Sequence, residues 1–135
     1  MPTLKDRRLF ISHAWSYDYH YNKVVEWLDD EPYFDWANYS VPSHDACSET
    51  TNKGLKECLT RQIRPTNGVI ILAGMYAAHS DWIDYEIDEA IRMGKIIIGV
   101  RPWGQERVPQ KIQDTAHTRV NWQSSSIISA IRAWI

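Results

Sequence analysis

Trp82 and Glu86, four residues apart in the stretch HSDWIDYEIDEAIRMGK, set a large aromatic side chain beside a carboxylate. At that spacing two residues share one face of a helix, and their side chains lean towards its N-terminus. The pair can wall and charge a binding cleft, or Trp82 can cover a sheet edge while Glu86 is one of several solvated acids on the helix. As a surface residue, Glu86 changed to Gln is expected to leave folding nearly unaltered. His13 and His79 form a second candidate pair, able to bind phosphate or shuttle protons, although a loop histidine is more often a plain exposed polar residue. Cys47 and Cys58 have no evident base and read as small residues rather than nucleophiles. No H-x-x-H or C-x-x-C spacing supports a metal site.

The elements that must position these residues follow from hydrophobic period. Leu9, Phe10 and Ile11 make a short buried strand ending at Ser12-His13. Tyr21, Val24, Val25 and Leu28 recur at helical spacing, with Asp18 as an N-cap and Pro32 beyond the end. Phe34 to Ala37 reads as a second strand, followed by the polar, turn-rich loop NYSVPSHD, long enough to suggest a function. Leu55, Cys58, Leu59 and Ile63 give a second helix, capped near Ser48 to Thr51 and stopped at Arg64-Pro65. NGVIILAG is the clearest buried strand. The helix of Trp82 and Glu86 comes next, with Asp81 and Asp84 as cap and first-turn residues and Ile83, Ile87, Ala90 and Ile91 as the face packed on the sheet. It ends at Gly94, before a fourth strand, Ile96 to Val100. A short helix near Val108 to Asp114 and a fifth strand, Arg119 to Trp122, come before a closing helix. Ser124 or Ser125 caps that helix, whose face carries Ile127, Ile128, Ile131 and Trp134.

Strands and helices alternating in units of about 25 to 35 residues imply right-handed crossovers and a parallel sheet covered on both faces. The expectation is a single α/β domain over residues 1–135, three-layered, with five parallel strands in the flavodoxin-like order 2-1-3-4-5. Ligands in such sheets bind beyond the carboxyl ends of the strands where strand order reverses, here between the first and third strands. Ser12 to Ser16, the loop after the second strand, and Gly74 to Ser80 should line that place.

Composition narrows the function. The 135 residues are 44% hydrophobic and 24% charged, with a net charge of -2, an ordinary globular balance. No basic run offers a nucleic-acid footprint, and no apolar stretch is long enough to span a membrane. The first ten residues have no apolar signal segment, and the two cysteines build no disulfide framework, so a reducing, cytoplasmic home is expected. A flavodoxin would need a hydroxyl- and Gly-rich phosphate loop where SHAWSYDYHY stands, and a phosphorylation receiver would need an aspartate where Leu72-Ala73-Gly74 ends the third strand. Walker A and G-x-G-x-x-G loops are absent.

Four segments, LFISHAW, NYSVPSHD, VIILAGMYAAHSDWIDYEI and KIIIGVRPW, occur in the order found in the TIR-domain superfamily, which the chain resembles over nearly its whole length. The likeness is greatest to the bacterial TIR-like branch typified by the TIR component of Thoeris anti-phage defence. Its most specific part is the arrangement of Ser80, Trp82 and Glu86 directly after an aliphatic strand. The resemblance implies an enzyme that cleaves NAD+ between nicotinamide and ribose, NAD+ being substrate rather than cofactor, with Glu86 catalytic. It implies further a cyclic ADP-ribose-type signalling nucleotide read by a separate effector, and self-association through TIR surfaces. Under this reading Ser12, His13, Ala14 and Trp15 contact the ligand, and Trp15 can stack on a base or on nicotinamide. Trp36 walls the adenine side or packs in the core, Asp35 and Asp45 reach ribose hydroxyls, and His79 and Trp82 line the mouth. The loop after the second strand lacks the Pro-Gly pair common in receptor TIR domains, so its contacts do not carry over residue by residue. Two rivals stand beside this reading: an enzyme like the nucleoside deoxyribosyltransferases, and a non-catalytic TIR scaffold acting by protein association.

Overall fold

Short aliphatic strands that are apolar on both faces must be covered on both, which the chain achieves by returning a helix across the sheet after each strand. A computed structural model describes residues 7–12, 18–39, 52–72, 76–101 and 110–135, except the side chains of 18–20, 52–55 and 76–82. The elements alternate as β1 (Arg7–Ser12), α1 (Asp18–Asp30), β2 (Trp36–Asn38), α2 (Asn52–Ile63), β3 (Gly68–Leu72), α3 (Tyr76–Arg92), β4 (Ile96–Val100), α4 (Gln110–Thr115), β5 (Thr118–Val120) and α5 (Ser124–Trp134). Every strand pair is parallel and the order is β2-β1-β3-β4-β5, the flavodoxin-like architecture expected from the sequence. On one side of the sheet α1 meets α5, and on the other α3 meets both α2 and α4.

All five residues of β3 are buried, pairing with β1 from Leu9↔Gly68 to Ser12↔Ile71 and with β4 from Gly68↔Ile96 to Leu72↔Val100. Helices meet this slab with aliphatic faces: Tyr21, Val24 and Leu28 from α1, Leu59 and Ile63 from α2, Ile83, Ile87 and Ala90 from α3, and Ile127, Ile128 and Ile131 from α5. At the C-terminus of α3, Gly94 at φ 70 donates to Ile91 O and Lys95 donates to Ala90 O. These bonds satisfy two carbonyls that the helix end would leave orphaned.

Several boundaries and faces differ from the sequence expectation, each for a local reason. β2 begins at Trp36, because Tyr33 turns the chain at φ 57 and Phe34 is buried against the guanidinium groups of Arg7 and Arg132, 5.4 and 5.5 Å from its ring centroid. α3 starts at Tyr76, which leaves Asp81 and Asp84 inside the helix rather than at its cap. Ile91 is 51% exposed and Trp134 46%, so neither belongs to the buried faces assigned to them. The cap residue of α5 is Gln123, which makes no side-chain capping bond. Cys58 is buried and disulfide-bonded, in place of the plain thiol expected; Cys47 falls outside the described residues. None of the described helices is long and apolar enough to cross a membrane.

The start of β3 is packed to its limit. A Cβ added at Gly68 would lie 2.1 Å from Ile135 Cδ1 and 2.9 Å from its Cγ1, and Ile135 is itself buried. Gly68→Ala should therefore destabilise the protein by about 1 to 3 kcal/mol through overpacking. The double variant with Ile135→Ala should lose less than the sum of the two single changes. Urea denaturation of the three variants measures this, and strict additivity would show that the two sites do not share the space.

Candidate functional site

Strand order reverses between β1 and β3, and Ser12 is the last residue of β1 at that place, paired with Ile71. Its side chain is fully buried and its Oγ has no hydrogen-bond partner. Beside it comes Glu86 from α3, 4% exposed, with its Oε2 also unpartnered. Burial drives the Glu86 carboxyl up to about 8, and the nearby Ser12 hydroxyl draws it down by a smaller amount. That pull places the hydroxyl next to the carboxyl, and the two orphaned oxygens show that no well-formed bond joins them. A buried polar group without a partner is costly, so two of them meeting at the carboxyl edge of a doubly wound sheet mark the place where a ligand would supply the missing bonds.

The arc of α3 explains how an acid comes to be there. At about 100° per residue, Ile83, Ile87 and Ala90 define the centre of the buried face. Glu86 falls on one flank of that centre and Ile91 on the other. The helix is rolled so that Glu86 is buried and Ile91 exposed, the reverse of the solvated face that the sequence allowed. A polar clamp to α2 holds this roll. Thr60 Oγ1 lies 2.5 Å from Tyr85 Oη and 2.9 Å from Glu89 Oε2, and Tyr85 Oη lies 3.0 Å from the Lys56 carbonyl, the two hydroxyl protons serving two of these three contacts at a time. Arg92 closes on Glu89 at 2.6 Å, and this bond, with the one from Thr60, holds the Glu89 carboxyl below its ordinary range despite some burial. Thr60, Tyr85 and Glu89 were missed as positioning residues. The only sequence signal was the helical spacing of Tyr85 and Glu89, flanking the acid of interest.

Of the residues singled out from the sequence, Ser12 and Glu86 are brought together. Two turns of α3 precede Glu86 and carry His79 and Trp82, whose side chains lie outside the described set. His13, Ala14, Trp15 and Asp45 also lie outside the described residues. Trp36 is not brought to this place: it pairs with Arg7 at the opposite end of β1, roughly 16 Å of strand from Ser12. There its Nε1 donates to Asp29 Oδ1 at 2.9 Å and the ring packs against the core. Asp35, at the same end, is exposed and offers its backbone carbonyl to Arg7. Two other tryptophans, Trp27 and Trp122, pack on each other at 4.9 Å between centroids, away from the acid. Among the described residues no group of three His, Cys, Asp or Glu could hold a metal ion.

A doubly wound parallel sheet in the order β2-β1-β3-β4-β5, with a buried acid on the helix after its third strand, defines an α/β protein of flavodoxin-like fold. Residues 10–107 match the family described as Thoeris protein ThsB, TIR-like domain, and the chain belongs to that family. The solved structure of the Clostridium botulinum CMP N-glycosidase BcmB is similar in fold, with a TM-score of 0.57 and 14% sequence identity over 95% of this chain and 100% of that one. No curated protein matches the chain.

The buried acid also reverses the stability expectation for Glu86→Gln. Below the unfolded-state value of 4.5 the folded and unfolded chains both hold the proton, so wild type and variant should be alike. As pH rises from there towards about 8, only the unfolded chain releases it, and the wild type loses stability. Glu86→Gln should therefore be more stable than wild type by roughly 1 to 3 kcal/mol near neutral pH. The gap should widen between about pH 5 and 8 and then level off. Thermal melting of both proteins across this range is the measurement, and a gap that is zero or independent of pH would show that the carboxyl is solvated.

Proposed function

We propose that the protein cleaves the bond between nicotinamide and ribose of NAD+, with Glu86 as the catalytic carboxylate and Ser12 holding a ribose hydroxyl beside it. The observation that carries this reading is the burial of Glu86 without a partner for Oε2, next to an equally unpartnered Ser12 Oγ. Membership of the Thoeris ThsB TIR-like family supports it. In the reaction the bond from ribose C1′ to the pyridinium nitrogen breaks and its electron pair goes to the ring. Nicotinamide leaves neutral, so no general acid is required. The ribosyl cation left behind is stabilised by the ionised Glu86 in surroundings where charge is poorly screened. Water would trap the cation as linear ADP-ribose. A hydroxyl or adenine nitrogen of the same molecule would trap it as a cyclic nucleotide if the site excludes water, and this second outcome suits a defence protein that signals to a separate effector.

A second reading is favoured by the fold shared with a CMP N-glycosidase: cleavage of a neutral nucleotide such as CMP. A neutral base is a poor leaving group until it is protonated, so Glu86 would then act as a general acid. The two readings predict opposite pH profiles. For NAD+, kcat/KM should rise about tenfold per pH unit and level off near the Glu86 value of about 8. For CMP it should be flat and then fall through the same point. Chromatography of purified protein with each substrate across pH distinguishes them, and a TIR scaffold that acts only by association would consume neither.

Under the first reading Glu86→Gln should lower NAD+ turnover by two or more orders of magnitude, as loss of a preorganised electrostatic partner does. Glu89→Gln is an unsuitable control because Glu89 belongs to the clamp on α2. Asp88→Asn serves better: its carboxylate is 60% exposed and, among the described residues, pairs with Lys111 across the surface. Turnover that survives in Glu86→Gln at the wild-type rate would remove the catalytic assignment.

A further inference from the structure

Among the described side chains, none offers Glu86 a counter-charge. The strands beneath α3, β3 and β4, carry no titratable side chain. From α2, Lys56 lies over the Tyr85 ring at 5.5 Å, and from α4, Lys111 is taken by Asp88 at 2.6 Å. Arg92, on α3 itself, is taken by Glu89. Among the described residues, Ser12 of β1 is the one whose side chain, besides burial, acts on the Glu86 carboxyl. His13 and His79 lie outside the described side chains. Ionising a carboxyl in such surroundings leaves an unpaired buried anion, which is strongly disfavoured. Hydrogen bonds from neutral hydroxyls offset only part of that cost, and a ligand that brings a positive charge to Glu86 offsets more of it.

Resting on the NAD+ reading above, we infer that Glu86 waits as the neutral acid and that a cationic N-riboside ionises it on binding, expelling one proton to solvent. The O–H bond of the carboxyl breaks, its electron pair stays on the carboxylate, and the proton passes to water or buffer. The pyridinium ring supplies the counter-charge that the described side chains do not. The unpartnered Ser12 Oγ and Glu86 Oε2 are free to take the ribose hydroxyls at the same moment. Raising of the Glu86 carboxyl to about 8 by burial supports this resting state at neutral pH. The site thereby senses the charge of the ring. The oxidised dinucleotide pairs with Glu86 and completes the charge arrangement that the reaction needs. The reduced dinucleotide, with the same phosphates and an uncharged ring, finds a neutral acid and leaves it so.

The test uses the full chain and a dinucleotide whose nicotinamide riboside has a carbocyclic ring, so that the nicotinamide bond cannot be cleaved. Calorimetry in buffers of differing ionisation enthalpy counts the protons released. Binding of the oxidised analogue at pH 7 should release close to one proton, falling towards zero by about pH 9, and its affinity should tighten up to tenfold per pH unit below about pH 8. The reduced analogue should bind without release. In Glu86→Gln the release should vanish and the two forms should bind alike. Oxidised analogue bound with no proton release, or release that persists in Glu86→Gln, would overturn the inference while NAD+ consumption by the wild type left the proposed function standing. Failure of the analogue to bind, together with no NAD+ consumption, would overturn both.

Discussion

A parallel sheet covered on both faces has no polar surface on which to build a site. β3 and β4 expose no polar side chain to the helices above and below them, and this constraint sends chemistry to two kinds of position: the carboxyl ends of the strands and the buried arc of a covering helix. Ser12 is the first kind and Glu86 the second. Their meeting at the reversal of strand order follows from the right-handed crossovers that put α3 over β3 and β4. Among the described residues, the one other buried side-chain polar atom without a partner is Arg7 Nε, at the opposite end of β1.

Burying a carboxyl in this layer opposes folding, and the surrounding packing offsets it. The clamp of Thr60, Tyr85 and Glu89 fixes the roll of α3 against α2, while the bonds around Gly94 close the helix end. Without them the helix could roll by a fraction of a turn, bringing Ile91 in and letting Glu86 out to water, which the hydrophobic term would favour. A residue kept where it destabilises the protein is the pattern of a site held ready for a ligand rather than of a stable core. The opposite end of the sheet shows the contrast. There the charged groups are spent on packing, with Arg7 and Arg132 both against Phe34 and Arg132 also paired to Glu31 at 3.1 Å.

The charge of the leaving group is the physical variable that separates the chemistries open to such a site. A pyridinium departs by taking the bonding electrons and losing its charge, so an anion beneath the ribose is all it asks of the protein. A neutral base departs as an anion unless it is protonated, so the same carboxyl must first be an acid. One buried glutamate can be prepared for either task, and its protonation state when substrate arrives decides which it performs.

Sequence period determined the architecture, because each strand run is bounded by turn residues and each helix repeats its aliphatic residues at helical spacing; parallel strands follow from that alternation, whereas the order 2-1-3-4-5 is one of the common doubly wound orders, and the tertiary structure selects it. The same periodicity placed Glu86 on the helix after the third strand and Ser12 at the end of the first. Burial of the acid was beyond it. On α3 the aliphatic arc is wide enough to be centred in two ways, with Ile91 inside and Glu86 outside or the reverse, and propensity does not choose between rotations of about 40 to 60°. Hydrogen bonds to Thr60 and Lys56 choose, and they come from α2, some 20 residues or more away in the chain. Trp36 was open to two places for a similar reason: its type suits a ligand wall or a core, and only the register of β2 against Arg7 puts it at the end of the sheet remote from Ser12. Local pattern decides which element a residue joins, whereas the roll of a helix and the register of a strand are set by contacts between segments distant in sequence, and in this protein those contacts decide whether Glu86 is a solvated acid or a buried one.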